Sequence, residues 1–222
     1  MNNPPKCQEL FALKSVLLQN IFGGIQYPWE IIPQIRDIIN RLLKERPTAY
    51  ELLEEGVLIG KNVKISPTAH ISAPAIIGDN CEIRYGAFLR GSVILGEGCV
   101  VGNSSEIKNS ILMTGAQAPH FNYVGDSILG EKAHLGAGVI CSNLRSDGKA
   151  VNIRTCDSTV NTGMRKLGAI LGDGVEIGCG SVLCPGTIIG KNTTVYPLTL
   201  ARGNYPDDCI VKDTRTVVPR QR

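Results

Sequence analysis

The sequence predicts a mainly β protein, a parallel β-helix preceded by a helical segment, and three observations carry that prediction. Ile59, Ile65, Ile71, Ile77, Ile83, Leu89, Leu95, Val101 and Ile107 follow one another at an unbroken spacing of six. Four places after each comes a small or β-branched residue, from Val63, Ala69 and Ala75 to Cys99, Ser105 and Ile111. The same phase returns with Leu129, Leu135 and Cys141, and again with Leu171, Ile177, Leu183, Ile189 and Val195. Neither a 3.6-residue helix nor a period-two strand produces this pattern. A chain coiling as a triangular prism does, because each six-residue step forms one flank, its aliphatic residue points inward, and its small residue occupies a tight corner. Three steps close a coil, so residues i and i+18 stack at the strand separation of roughly 4.8 Å. Repeats of this kind decide a fold before any local signal does.

Taken in order, residues 1–56 read as an N-terminal helical cap. Glu9 to Phe22 suits a short helix stopped by Gly23-Gly24. Trp29 to Glu45 carries Ile31, Ile32, Ile35, Ile38, Ile39, Leu42 and Leu43 as an apolar stripe, with Pro33 tolerable only in the first turn. Thr48 to Glu55 reads as one or two further turns. The cap is expected to cover the open first coil, whose strand edges would otherwise template pairing with another chain. The prism spans 57–200, with loops expected at 113–128 and 144–169, and 201–222 reads as a C-terminal tail. The first irregularity, MTGAQAPHFNYVGDS, exceeds the six-residue frame by four, so a loop or bulge is expected to leave the coil there. The second, LRSDGKAVNIRTCDSTVNTGMRKLGA, is polar and basic between two in-phase segments. Loops this long in a compact domain are usually functional.

Composition excludes several classes of function. Charged residues are 19% and aromatics 5%, as suits a narrow interior filled with Ile, Val, Leu and Ala. The formal net charge is +3 without a basic run, so binding to nucleic acid or to a membrane surface has no electrostatic footing. No apolar stretch approaches the ~20 residues that span a bilayer, and no signal-peptide pattern opens the chain. The eight cysteines include no C-x-x-C pair; Cys81 and Cys99 should stack in adjacent coils as free buried thiols, which suits a reducing cytoplasm.

Chemistry concentrates at the irregularities. Arg90 and Lys108 each follow an aliphatic hexad residue and are 18 apart, so they project from one flank, one coil above the other. Two stacked cations repel unless an anion lies between them, although a solvated pair, or Lys108 paired with Glu106, satisfies the spacing as well. If they hold an anion, Lys108→Ala should weaken ligand binding and leave the melting midpoint nearly unchanged. His120, beside Pro119, Asn122 and Tyr123, suits either a general base or a hydrogen-bonded structural group. His70 and His134 lie in regular hexads and read as exposed or structural. The histidines stand 50 and 14 residues apart, without an H-x₃₋₅-H pattern, which gives no support for a metal site or for a carbonic-anhydrase-like β-helix.

Read together, GNSSEIKNS (102–110), APHFNYVGDS (118–127), LGAGVICSN (135–143) and LRSDGK (144–149) have the look of one known active site. They resemble the C-terminal hexapeptide-repeat, left-handed β-helix domain of the bifunctional sugar-1-phosphate uridyltransferase/glucosamine-1-phosphate acetyltransferases. The archaeal-type branch, with NLR-x-DGK and RKLGAI-x-GD (165–173 here), is the nearer match, and the resemblance covers about residues 57–200. It implies a left-handed coil, an exception to the usual right-handed crossover. It also implies His120 as catalytic base, Asn143 beside the acetyl group and amine, and Arg90, Lys108, Tyr123 and Lys149 as sugar-phosphate ligands. Ala137 and Gly138 match the small surface along which coenzyme A lies. The expected activity is acetyl-CoA-dependent N-acetylation of an amino-sugar 1-phosphate by a cytoplasmic homotrimer, its subunits meeting through outward residues such as Ile76, Phe88, Ile94 and Leu112. Two positions depart from the family pattern: His134 stands for an Asn, and Tyr196-Pro197-Leu198 stands for small residues against coenzyme A. The uridyltransferase half has no counterpart in the sequence. A non-catalytic or regulatory β-helix, partnering a separate nucleotidyltransferase, is the alternative expectation.

Overall fold

The computed structural model describes residues 3–155 and 159–220. Its body is the expected prism, built of three mainly parallel sheets. The first flank begins at Val57–Ile59, the second at Lys64–Ile65 and the third at His70–Ser72. Each strand pairs with the strand one coil further on, Ile59 with Ile77, Ile83 with Val101 and Leu89 with Ile107. Side chains alternate across a strand. Ala75 and Ile77 therefore enter the axial core while Ile76 between them points out. The axial core takes in Ile77, Leu95, Leu112 and Leu129 from the first flank with Ile83, Leu89, Val101 and Ile107 from the others.

The chain wraps without a loop through residues 113–128, contrary to expectation. Gln117–His120 and Tyr123–Gly125 are strands of the second and third flanks, in register with the previous coil through Ala118 and Val101 and through Val124 and Ile107. The corner from the third flank to the first is short by one residue at two successive coils. Ile107 to Leu112 and Val124 to Leu129 are five-residue steps. The count of 22 residues from Ile107 to Leu129 is four more than three hexads and two fewer than four, and the fold takes the second solution. One coil earlier this corner uses two left-handed residues, Gly91 and Ser92 (φ 83° and 53°); at the shortened corners Asn109 (φ 47°) and Asp126 (φ 48°) each turn it alone. Asn and Asp tolerate that conformation better than other side chains.

At the next coil the same corner extrudes residues 144–169. Its base is closed by an antiparallel bridge between Leu144 and Lys166, and its tip is a hairpin of Asn152–Arg154 against Thr159–Asn161. The arm folds back onto the prism. A Cβ on Gly186 (φ 76°) would lie 2.7 Å from Val151 Cγ1, so only glycine admits so close an approach.

The N-terminal segment holds helices α1 (Cys7–Leu10), α2 (Val16–Phe22) and α3 (Ile35–Glu45), with a 3₁₀ turn at Pro28–Gln34 that contains Pro33. Ser15 caps α2 by accepting from the Leu18 N–H at 3.2 Å. These elements do not plug the first coil. Their apolar residues, among them Leu18, Phe22, Ile31, Ile35 and Ile39, pack on the outward row of the first flank, Leu58, Ile76, Ile94, Ile111, Ile128, Ile170 and Ile188. Burial of each such side chain contributes about 1.5–3 kcal/mol. Ile76 and Ile94 are therefore covered by the chain itself, and Leu112 faces the axial core, so none of the three is free for the subunit contact expected of it. Phe88 is half-buried on the third flank against His70. Both ends of the prism are finished by hairpins. Glu51–Glu54, expected as helix, pairs antiparallel with Val57–Ile59. At the far end, residues expected as a tail continue the coils through Cys209–Val211, which Val217–Pro219 then pairs antiparallel.

Candidate active site

Except for Lys149, the site residues named from sequence lie on the third flank or at its two corners. His120 ends a strand of the second flank. Its backbone N–H donates to Asn122 Oδ1 at 3.0 Å, while the buried Asn122 donates through Nδ2 to Gly136 O at 2.8 Å and through its N–H to Ser105 Oγ at 3.0 Å. Asn122 thus locks the turn through Phe121 (φ 52°) and leaves His120 exposed. Among the described residues the imidazole has no hydrogen-bond partner. His134, by contrast, is tied at 2.9 Å to Glu176 in the next coil, and His70 lies 3.2 Å from Ser72 Oγ.

Directly beside His120 in the next coil is the expected small surface. The Gly138 N–H donates to His120 O at 3.0 Å, and a Cβ on Gly138 would meet nothing nearer than 3.9 Å. The corner continues through Gly180, whose N–H donates to Ala137 O, to Leu198, whose N–H donates to Cys179 O. Leu198 is 84% exposed and leans over Gly180, so the crowding from Tyr196-Pro197-Leu198 begins one coil beyond Gly138.

The opposite corner gathers the polar groups. Asn143 Nδ2 reaches the Tyr123 hydroxyl at 3.2 Å and also donates to Asp126 Oδ2. Lys108 Nζ is 3.2 Å from the same carboxylate, and Asn109 Nδ2 donates to its other oxygen at 2.8 Å. Burial raises the Tyr123 phenol above its ordinary range, and the Glu106 and Asp126 charges add to this while the Asn143 contact opposes it. Arg90 is paired with Glu106 at 2.9 Å. The two stacked cations are therefore not an uncompensated pair: each has its own carboxylate, and Lys108 takes Asp126 rather than Glu106. Lys149 lies in the extruded arm, its N–H held 3.2 Å from Asp147 Oδ1. The Arg145 guanidinium grips that Asp147 and holds its carboxyl well below the usual carboxylate range. Among the described residues no hydrogen bond or ion pair joins Lys149 to the Asp126 cluster. Among the same residues no group of three metal-ligating side chains comes together, and no helix is long and apolar enough to cross a membrane.

Asp126, Asn122 and Asn109 also belong to the site, though the sequence did not assign them a role there. Asp126 follows Lys108 by 18 residues, as Lys108 follows Arg90, but the shortened coil sets Lys108 against Gly125 and Asp126 one place on, against Asn109. The two shortened corners hid the register that makes the first pair meet.

The family model described as bacterial transferase hexapeptide (six repeats) matches residues 56–91. That stretch carries the first hexapeptide repeats of the prism. Its relatives include a bifunctional sugar-1-phosphate nucleotidylyltransferase/acetyltransferase of Sulfurisphaera tokodaii, 40% identical over 92 residues, covering 41% of this chain and 23% of the relative. The bifunctional protein GlmU of Methanococcus aeolicus is 32% identical over 209 residues, covering 93% of this chain and 51% of the relative. Its counterpart in Methanococcus maripaludis is 34% identical over 214 residues, covering 95% and 52%. The chain thus spans about half the length, or less, of these curated relatives.

Proposed function

We propose that the protein transfers the acetyl group of acetyl-CoA to the amine of an amino-sugar 1-phosphate. The observation that carries this reading is the exposed imidazole of His120, one coil from the bare Ala137–Gly138 corner and on the edge of the flank that presents Tyr123, Asn143 and Lys108. The Sulfurisphaera tokodaii relative is named for both sugar-1-phosphate nucleotidylyl transfer and acetyl transfer, which supports the same chemistry. In this reading coenzyme A lies along Ala137 and Gly138, while Arg90, Lys108, Tyr123 and Lys149 take the sugar phosphate. His120 accepts a proton from the amine as nitrogen attacks the thioester carbonyl. The C–N bond forms, the C–S bond breaks, and the proton leaves with the coenzyme A sulfur. Asn143, at the end of the Tyr123 hydroxyl, holds the amine and acetyl group in line. A positioned base of this kind is worth on the order of 10²–10⁴-fold.

Assembly belongs to the same proposal: a cytoplasmic homotrimer whose contacts use the second and third flanks, because the first is covered by α2 and α3. One observation favours a non-catalytic β-helix instead, the exposed Tyr196 and Leu198 along the proposed coenzyme A corner. Incubation with acetyl-CoA and a panel of amino-sugar phosphates, with free thiol as readout, separates the two. Thiol release with at least one of them supports the transferase, and none with any favours the non-catalytic reading.

A further inference from the structure

We propose that Asp126 is the positioning residue of this site, setting Lys108, Asn143 and, through Asn143, Tyr123; the inference rests on the acetyl-transfer reading above. The Asp126 side chain is 5% exposed, and its two oxygens accept from three side chains: Lys108 Nζ at 3.2 Å, Asn109 Nδ2 at 2.8 Å and Asn143 Nδ2. A buried carboxylate is costly unless it is paired and hydrogen-bonded, and two of the three groups that meet this requirement, Lys108 and Asn143, are also named for substrate contact. The same Asn143 amide nitrogen also meets the Tyr123 hydroxyl at 3.2 Å. Lys108, Tyr123 and Asn143, from three successive coils, thus share one anchor, Tyr123 through Asn143.

The fold by itself does not call for a charge at this corner. Residue 126 must adopt a left-handed backbone, φ 48°, and Asn109 does the same one coil earlier with φ 47° and an uncharged side chain. The backbone is secured independently, since the Asp126 N–H donates to Lys108 O at 2.9 Å and its carbonyl accepts from the Gly168 N–H at 2.8 Å. Asp126 also lines an open cleft of about 600 Å³, with Asn109, Leu144 and Lys166 among its walls. What the charge adds is a fixed place for the Lys108 ammonium and for the Asn143 amide. It also lowers the net charge that an incoming phosphate meets at Lys108.

Those two effects have opposite signs, and this makes the proposal testable. Asp126→Asn keeps the shape and removes the charge. Calorimetry with inorganic phosphate and with amino-sugar phosphate, without acetyl-CoA, should show affinity rising by about three- to tenfold as a negative charge beside Lys108 disappears. Turnover should fall by at least about tenfold, because Asn143 and Tyr123 lose their anchor and near-attack geometry is sensitive to small displacements. Asp126→Glu, which keeps the charge and moves it by a methylene, should leave phosphate affinity within about twofold while turnover falls. A purely structural role would move neither phosphate affinity nor the split between the two variants. Unchanged turnover in both variants, or a parallel loss of affinity and turnover, would overturn the proposal. A wild-type protein that transfers no acetyl group but whose Asp126→Asn variant binds phosphate more tightly would refute the acetyl-transfer reading and uphold control of Lys108 by Asp126.

Discussion

At the scale of the residue, the pairing of Lys108 with Asp126 changes what a single substitution should do. Expected from sequence as a removable surface cation, Lys108 is instead the counter-charge of a carboxylate that is almost wholly out of water. Lys108→Ala should therefore destabilise the fold by on the order of 3 kcal/mol, because an unpaired buried charge remains behind. Chemical denaturation checks this, and an unchanged midpoint would mean that Asp126 is solvated. Arg90 differs, since both it and Glu106 are more open, and Arg90→Ala should leave the denaturation midpoint nearly unchanged. The thiols offer a second check. Burial pushes the Cys141 thiol up to about 12 and Cys99 well above its ordinary value, whereas Cys179 is exposed. Only thiolates react. A thiol reagent at pH 8 should modify Cys179 in the native protein and reach Cys99 and Cys141 only on unfolding.

At the scale of the element, the outward isoleucine row ties the N-terminal helices to the prism. Ile94→Ala should cost about 2–5 kcal/mol, the range for truncating a fully buried aliphatic side chain. The cost would be small if the row merely awaited a partner. Gly186→Ala should also destabilise, by about 1–3 kcal/mol, since its Cβ meets the arm at Val151 while the backbone is left-handed. The hexads were legible in sequence because the inward residue recurs at one fixed interval, from Ile59 to Ile107. The shortened corners were not, because a count modulo six does not separate an insertion of four from two deletions of one. The stripe from Ile31 to Leu43 announced its helix, but nothing local says which surface a stripe will cover. The row at Leu58, Ile76 and Ile94 held that answer, at the same interval of 18 that stacks the coils. Of the site, His120 with Asn143 and Tyr123 was legible through motif resemblance. Asp126 was not, since its role exists only where three coils meet at one corner.

At the scale of the whole molecule, a prism with one flank covered leaves two flanks and their shared corner for ligands and subunits. Light scattering at micromolar concentration should give three times the chain mass, and a monomer mass would remove any site shared between subunits. If His120 serves as base for acetyl transfer, free-thiol release from acetyl-CoA will distinguish wild type from His120→Ala. With an amino-sugar 1-phosphate as acceptor, the wild type should turn over, while the variant loses on the order of 10²–10⁴-fold in kcat with sugar-phosphate affinity little changed. A His120→Ala protein that keeps the wild-type rate would contradict the assignment of the base, and a wild type that releases no thiol with any acceptor would contradict the transferase itself.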